Sequence, residues 1–182
     1  RSASFYDPEL MHGVEVFDVV IGNPPYIRHR DLPKKYKEDL KSRYSVGNTT
    51  ADIYCYFYEI GYNFLSVHGV LVFITSNKWM RSRYGEKLRT FLKDKTKLLE
   101  IIDLGGGQFE SATVDTNILF FKKTTSPKGH KVKYGSTITD LSGELYQQDL
   151  SVKAFSLAEE NVLHLKRKIE NVGVRLKEWK SI

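Results

Sequence analysis

Cysteine is almost absent from this sequence, Cys55 being the only one. A lone thiol excludes an internal disulfide and a cysteine metal pair, and it fits a reducing, cytoplasmic location. The five histidines, His12, His29, His68, His130 and His164, are scattered without ligand spacing, so no metal site is expected. Long hydrophobic runs are also missing. None approaches the ~20 residues that cross a bilayer, and no signal-peptide pattern opens the chain, so no membrane partner is expected. Internal repeats and low-complexity tracts are lacking as well.

What is present is an ordinary balance for a folded protein: 41% hydrophobic and 27% charged residues in a chain of 182. That is enough for one sizeable core, or a core plus part of a neighbour. The chain starts at Arg1 and ends just after Leu176-Lys177-Glu178-Trp179, which reads as a section of a longer protein. The formal charge is +6, with seven basic against three acidic residues between Arg28 and Arg43 and a second basic run from Lys122 to Lys133. On charge alone, a polyanionic partner and a solvated basic face are equally acceptable readings.

Val16 to Ile21 is an apolar run halted by Gly22-Asn23-Pro24-Pro25, the pattern of a buried strand leading into a rigid loop. Pro33 opens a short basic helix reaching about Leu40, and Ser45 to Thr50 is a polar loop. Helical spacing of Ile53, Tyr56, Phe57, Ile60, Phe64 and Leu65 predicts a helix over 52–66, with Thr49 and Asp52 as a weak capping box and His68-Gly69 as its end. Val70 to Thr75 and Leu98 to Leu104 are further strands, separated by a polar loop over 76–83 and a helix over 86–92. Asn117 to Phe121 is a fourth strand. The step into it is too short for a crossover helix, so an antiparallel edge is expected there. The alternation of elements predicts an open α/β sheet with helices on both faces. Residues 126–143 carry no clear pattern. Ser156 and Glu159 make a capping box for a helix whose stripe is Ala158, Val162, Leu165, Ile169 and Val172.

The chemistry is concentrated in Asn23-Pro24-Pro25-Tyr26, at the carboxyl end of a strand, where open α/β sheets place ligands. The Asn23 amide oxygen and the Pro24 carbonyl are two acceptors held close together by proline's fixed φ. Tyr26 can lie against a planar group. Two acceptors on an exocyclic amine draw its lone pair out of conjugation, and their bonds strengthen as positive charge develops on nitrogen. No histidine base is needed. As a bare tetrapeptide, the same residues could equally be a structural turn.

The stretch FDVVIGNPPYIR resembles the amine-binding motif of the gamma-type adenine-N6 DNA methyltransferases, especially those of the type IIG restriction-modification class. The similarity continues through Ala51-Asp52-Ile53-Tyr54, through the run from Gly69 to Trp79, through Gln108-Phe109 and through Val114 to Lys123. It implies an incomplete Rossmann-like, S-adenosylmethionine-dependent fold: a mixed sheet with helices on both faces and an antiparallel edge strand. It also implies that Asn23 and Pro24 bind the amine of an adenine flipped out of duplex DNA. Tyr26 stacks on that base and Phe109 touches its other face or edge. Asp52 and Ile53 border the cofactor. Arg28, Arg30, Lys34 and Lys35 contact phosphates, and Asn77 and Lys78 line the DNA side. Residues 1–150 become the later part of a catalytic domain, and 151–182 a helix leading toward a target-recognition domain.

The family's glycine-rich cofactor loop and the acidic residue that follows it have no counterpart from Arg1 to Gly22, and Gly105 to Gly107 reads as a strand-ending turn. The isolated chain is therefore expected to be inactive, with an uncovered sheet edge open to self-association. Mg2+ would enter only through a nuclease elsewhere in a restriction fusion. Asn-Pro-Pro-Tyr also resembles protein-glutamine and RNA-base N-methyltransferases, and a non-catalytic DNA-binding module on the same fold stays open.

Overall fold

The computed structural model of the chain describes residues 13–47, 50–107 and 114–157, together with 165, 168–169 and 171–173. Its backbone is a six-stranded sheet. The strands are β1 (Phe17–Gly22), β2 (Leu65–Ser76), β3 (Lys97–Gly105), β4 (Thr116–Lys122), β5 (Lys131–Gly135) and β6 (Gly143–Tyr146), in the spatial order β1-β2-β4-β3-β5-β6. Helix α1 (Lys34–Arg43) precedes α2 (Ile53–Phe64), and α3 (Glu86–Lys95) joins β2 to β3. β1 and β2 are parallel, β4 is antiparallel to both β2 and β3, β3 and β5 are parallel, and β6 runs antiparallel to β5.

The expected antiparallel strand is therefore real but not at the edge: β4 is inserted between β2 and β3, and the antiparallel edge is β6. Its apolar content explains the difference, because Leu119 and Phe121 are fully buried and an edge position would leave them wet. β5 lies in the segment 126–143 that carried no sequence pattern, and β6 starts at its end. They are short, and Val132 and Leu145 are their buried apolar residues.

Residues opposite each other on neighbouring strands point to the same face. Leu71, Phe73 and Thr75 of β2 oppose Phe121, Leu119 and Asn117 of β4, and this face is buried. α2 lies on it. Tyr58 sits 5.5 Å from Phe73, and a Cβ at Gly61 would come within 2.5 Å of Leu71. α3 joins the same layer through Phe91, whose ring stands edge-on to Tyr62 at 5.2 Å. Burying a residue such as Leu71 contributes about 1.5–3 kcal/mol.

The opposite face carries Val70, Val72, Ile74, Ile118 and Phe120, all only half-buried. Among the described residues, α2 and α3 both pack on the first of these faces. β1 also departs from the expected buried strand. It is the other edge, and Val19 and Ile21 are 55% and 75% exposed. Its apolar run has no strand on its outer side among the described residues.

His68-Gly69 does not end a helix. α2 stops at Phe64, β2 starts at Leu65, and the pair forms a bulge inside the strand, where pairing jumps from Phe17↔Leu65 to Val19↔Val70. His68 adopts φ 69°, and a Cβ on Gly69 would press to about 3.0 Å on the Phe17 and Ser66 carbonyls. The segment 76–83 is also more than a polar loop. It forms two short 3-10 turns, Asn77–Met80 and Arg83–Gly85, and buries Trp79 and Met80. Val46 and Gly47 are likewise buried within the expected polar loop over 45–50.

Thr49, half of the weak capping box, and Glu159, half of the later one, lie outside the described residues. Asp52 is the N-cap of α2 but makes no side-chain capping bond. Of the late apolar stripe, Leu165, Ile169 and Val172 are helical and exposed. Before it, Phe155 joins the core: it is fully buried against Trp79 at 5.6 Å, and its N–H donates to the Met80 carbonyl.

Candidate functional site

Because β1, β2, β3 and β5 all run the same way, their carboxyl ends share one rim of the sheet, and inverted β4 begins there. Asn23 to Tyr26 leave β1 at this rim and Asn77-Lys78 leave β2. Gly105 to Gly107 leave β3, and Asp115 leads into β4. Segments separated by up to about ninety residues are thus gathered by topology alone. Gly105 and Gly107 both have positive φ (64° and 83°), which turns the chain sharply off β3 as the triple glycine predicts.

Within the first loop, Asn23 is exposed, Pro24 is buried and Tyr26 is half-buried. The Tyr26 hydroxyl donates to the Ile74 carbonyl at 3.3 Å, and its ring meets Tyr54 edge-on at 6.2 Å and 80°. Burial raises the Tyr26 pKa, which keeps the hydroxyl a neutral donor. The loop is fixed again at its far end, where the Ile53 N–H donates to the Ile27 carbonyl and the His29 N–H to Asp52 Oδ1. The result is an exposed amide on a loop pinned at both ends.

On the second loop, Asn77 is tied down: its side chain donates to Asp103 Oδ1 at 2.8 Å and its N–H to the Asp115 carbonyl at 2.9 Å. Asp103 also faces Arg81 at 3.5 Å. Lys78 is exposed. Arg28, Arg30, Lys34 and Lys35 are exposed as well, with Arg30 beside Asp31 at 3.4 Å and Lys34 beside Glu38 at 3.8 Å. Pairs this open to water hold their cations weakly and leave them available to a polyanion. Phe109 lies outside the described residues.

Behind the rim runs a buried polar chain. The Tyr58 hydroxyl meets Thr75 Oγ1 at 2.8 Å, Thr75 donates to Asn117 Oδ1 at 3.2 Å, and Trp79 Nε1 donates to the same oxygen at 3.1 Å. Four elements, α2, β2, β4 and the 3-10 turn Asn77–Met80, are locked together by it. Sequence reading missed this network, and it also missed Arg89. That side chain is fully buried in α3 and reaches the carbonyls of Val152, Trp79, Ser82 and Lys153. A signal existed, since Arg89 stands between Leu88 and Leu92 on the inward stripe of its helix.

Cys55 is buried, and burial pushes its thiol pKa up, which suits a core residue and not a nucleophile. Among the described residues, no group of three or more His, Cys, Asp or Glu is arranged to hold a metal, and no helix is long and apolar enough to cross a membrane.

This strand order, with one inverted strand set inside the sheet and flanking helices, is an α/β class I S-adenosylmethionine-dependent methyltransferase fold. Solved structures share it. The type IIG restriction endonuclease BpuSI superposes with a TM-score of 0.59 at 15% identity, covering 91% of this chain and 23% of its own. A class I methyltransferase from Listeria monocytogenes superposes at 0.54 with 23% identity, over 70% and 39%. The chain belongs to the Eco57I restriction-modification methylase family, which it matches over residues 3–109, more than half its length. Among similar proteins, Type II methyltransferase M.PaeR7I of Pseudomonas aeruginosa is 39% identical over 88 residues, or 48% of this chain and 15% of that protein. The restriction enzyme and methyltransferase RM.Eco57I of Escherichia coli is 32% identical over 111 residues, or 59% and 11%. The chain therefore spans only about a seventh of the length of such relatives.

Proposed function

We propose that this chain is the amine-binding section of an adenine-N6 DNA methyltransferase in a restriction-modification system. The observation that carries the reading is the placement of Asn23-Pro24-Pro25-Tyr26 on the carboxyl rim, pinned at both ends with the Asn23 amide exposed. Family membership and the names of the similar proteins support it. S-adenosylmethionine supplies the electrophilic methyl group when bound. Asn23 and the Pro24 carbonyl accept from the adenine amine and favour its pyramidal, nucleophilic form. Tyr26 offers a ring face to the flipped base, and Phe109 is assigned to touch its other face or edge. Asp52 and Ile53, at the start of α2, mark the border of the cofactor site. Arg28, Arg30, Lys34 and Lys35 hold phosphates, while Asn77 and Lys78 line the DNA side.

We assign the activity to the whole protein, to whose cofactor site Asp52 and Ile53 would contribute. The outer edge of β1, with Val19 and Ile21 bare, is the surface through which the isolated chain would self-associate. Residues 151–182 are assigned as the lead toward a target-recognition domain, anchored at its start where Arg89 binds the Val152 and Lys153 carbonyls and Phe155 meets Trp79.

The test is methyl transfer from labelled S-adenosylmethionine to unmethylated duplex DNA by the full-length protein and by its Asn23→Ala variant. Adenine-N6 labelling that falls by about 100-fold or more is the expected result, as for loss of a transition-state hydrogen bond. Labelling of a protein glutamine or of RNA in place of DNA would move the reaction to another amine. No transfer to any of the three would leave a non-catalytic module.

A further inference from the structure

Asp52 stands at a junction. Its Oδ1 accepts the His29 N–H at 3.1 Å, and its Oδ2 accepts the Tyr84 hydroxyl at 3.3 Å. The Tyr84 hydroxyl in turn lies 2.8 Å from that of Tyr54, whose ring braces Tyr26. Next to it, the Ile53 N–H takes the Ile27 carbonyl at 3.1 Å. One half-buried carboxylate thus ties the loop that follows β1 to the 3-10 turn Arg83–Gly85, which belongs to the other rim segment. Both oxygens are occupied by the protein itself, and Asp52 gives α2 no capping bond. The residue is therefore more than a helix cap: its carboxylate joins two loops that are far apart in sequence.

We infer that Asp52 is a positioning residue that, with Tyr84, holds the Asn23–Tyr26 loop in its working geometry from the border of the cofactor site. This rests on the proposed methyl transfer for its kinetic consequence but not for its structural one. A displacement of about 1 Å in a loop that aligns a nucleophile costs on the order of 100-fold in rate. Asparagine can replace the carboxylate. Its oxygen still accepts from His29, and its amide donates to the Tyr84 oxygen while the Tyr84 hydroxyl turns to Tyr54. Alanine can do neither.

The experiment uses the full-length protein with Asp52→Ala, Asp52→Asn and Tyr84→Phe. It measures the single-turnover methylation rate, S-adenosylmethionine binding by equilibrium dialysis, and hydrogen exchange of residues 23–29. Asp52→Ala is expected to slow methylation by about 10- to 100-fold, to speed exchange across 23–29, and to leave cofactor affinity within about twofold. Asp52→Asn is expected to recover most of both losses. Tyr84→Phe removes a single hydroxyl and is expected to shift rate and exchange the same way by less, which keeps the test usable should Asp52→Ala fail to fold. A cofactor affinity lowered tenfold or more with exchange unchanged would make Asp52 a cofactor ligand and overturn the inference. So would unchanged rate and exchange in both Asp52→Ala and Tyr84→Phe. If the wild-type protein methylates nothing, the proposed reaction falls, and exchange across 23–29 still decides whether Asp52 holds the loop.

Discussion

Replacing Arg89 with methionine keeps the aliphatic stem and removes only the guanidinium, so it isolates what that group does. Four carbonyls lose a donor: Val152 at 2.7 Å, Lys153 at 2.8 Å, Ser82 at 2.9 Å and Trp79. Water can reach exposed Lys153 and half-buried Val152 and Ser82, which recovers much of those three. Trp79 is fully buried, and its carbonyl loses its partner outright at about 1–3 kcal/mol. The charge-assisted character of the lost bonds adds to this, and relief of the buried cation's desolvation subtracts. Burial already lowers the Arg89 pKa, a sign that the desolvation is felt. The net expectation is a loss of about 2–4 kcal/mol. With a urea slope of about 2 kcal/mol/M, the unfolding midpoint should fall by about 1–2 M. Tryptophan fluorescence reports it, since Trp79 is in the affected turn. Arg89→Lys should fall between, having charge and donors without the fork. A loss below about 0.5 kcal/mol in Arg89→Met would refute the view that this residue clamps residues 152–153 to the core.

Gly61→Ala gains helix propensity of about 1 kcal/mol but sets a methyl 2.5 Å from Leu71 and 3.1 Å from Phe73, so a net loss of about 1–2 kcal/mol is expected by thermal unfolding. Alkali should unfold the chain. Burial raises the pKa of Tyr26, Tyr54, Tyr56 and Tyr58 and pushes Tyr84 up to about 12, so tyrosine stabilisation is complete below the unfolded pKa near 10 and fades as pH rises from there through about 12. Titrating tyrosinate absorbance against circular dichroism checks this, and early ionisation of all tyrosines without unfolding would contradict it. Cys55 should resist a soluble disulfide reagent until the chain unfolds, and fast modification of the native protein would show the core to be open there. Ile21→Lys, on the bare β1 edge, should change stability by less than about 0.5 kcal/mol while reducing self-association of the isolated chain in sedimentation.

Much of this was legible in the sequence, for reasons tied to particular residues. β1 to β4 announce themselves because each is a dense apolar run ended by a proline pair, a glycine run or charge. α2 announces itself because its aromatic residues recur at helical spacing. Insertion of β4 between β2 and β3 was not legible, since sequence order says nothing about spatial order. β5 and β6 were not either, because they bury one apolar side chain each and give no alternation to read. His68-Gly69 misled because a Gly-containing pair that ends a helix and one that forms a strand bulge look alike until the register of β1 is known.

The site divides along the same line. Asn23 to Tyr26 could be picked out because two prolines after a strand are rare and restrict the chain locally. Arg89 could be suspected from its inward helix position but its partners could not, and Tyr84 and the Tyr58–Thr75–Asn117–Trp79 chain could not be picked out at all, because each acts on a partner distant in sequence: Arg89 reaches 63 residues along the chain and Trp79 reaches 38. This split has a physical root. The groups that would meet a substrate sit on exposed loops, where local stereochemistry limits which residues fit. The groups that aim those loops sit in the core, where position in the finished sheet sets their partners. Asn117 shows the second kind. Its oxygen accepts from Thr75 and from Trp79. One β4 residue, recognisable only in the finished sheet, thus fixes the end of β2 and the turn that carries Asn77 and Lys78, directly behind the rim where an open α/β sheet places its chemistry.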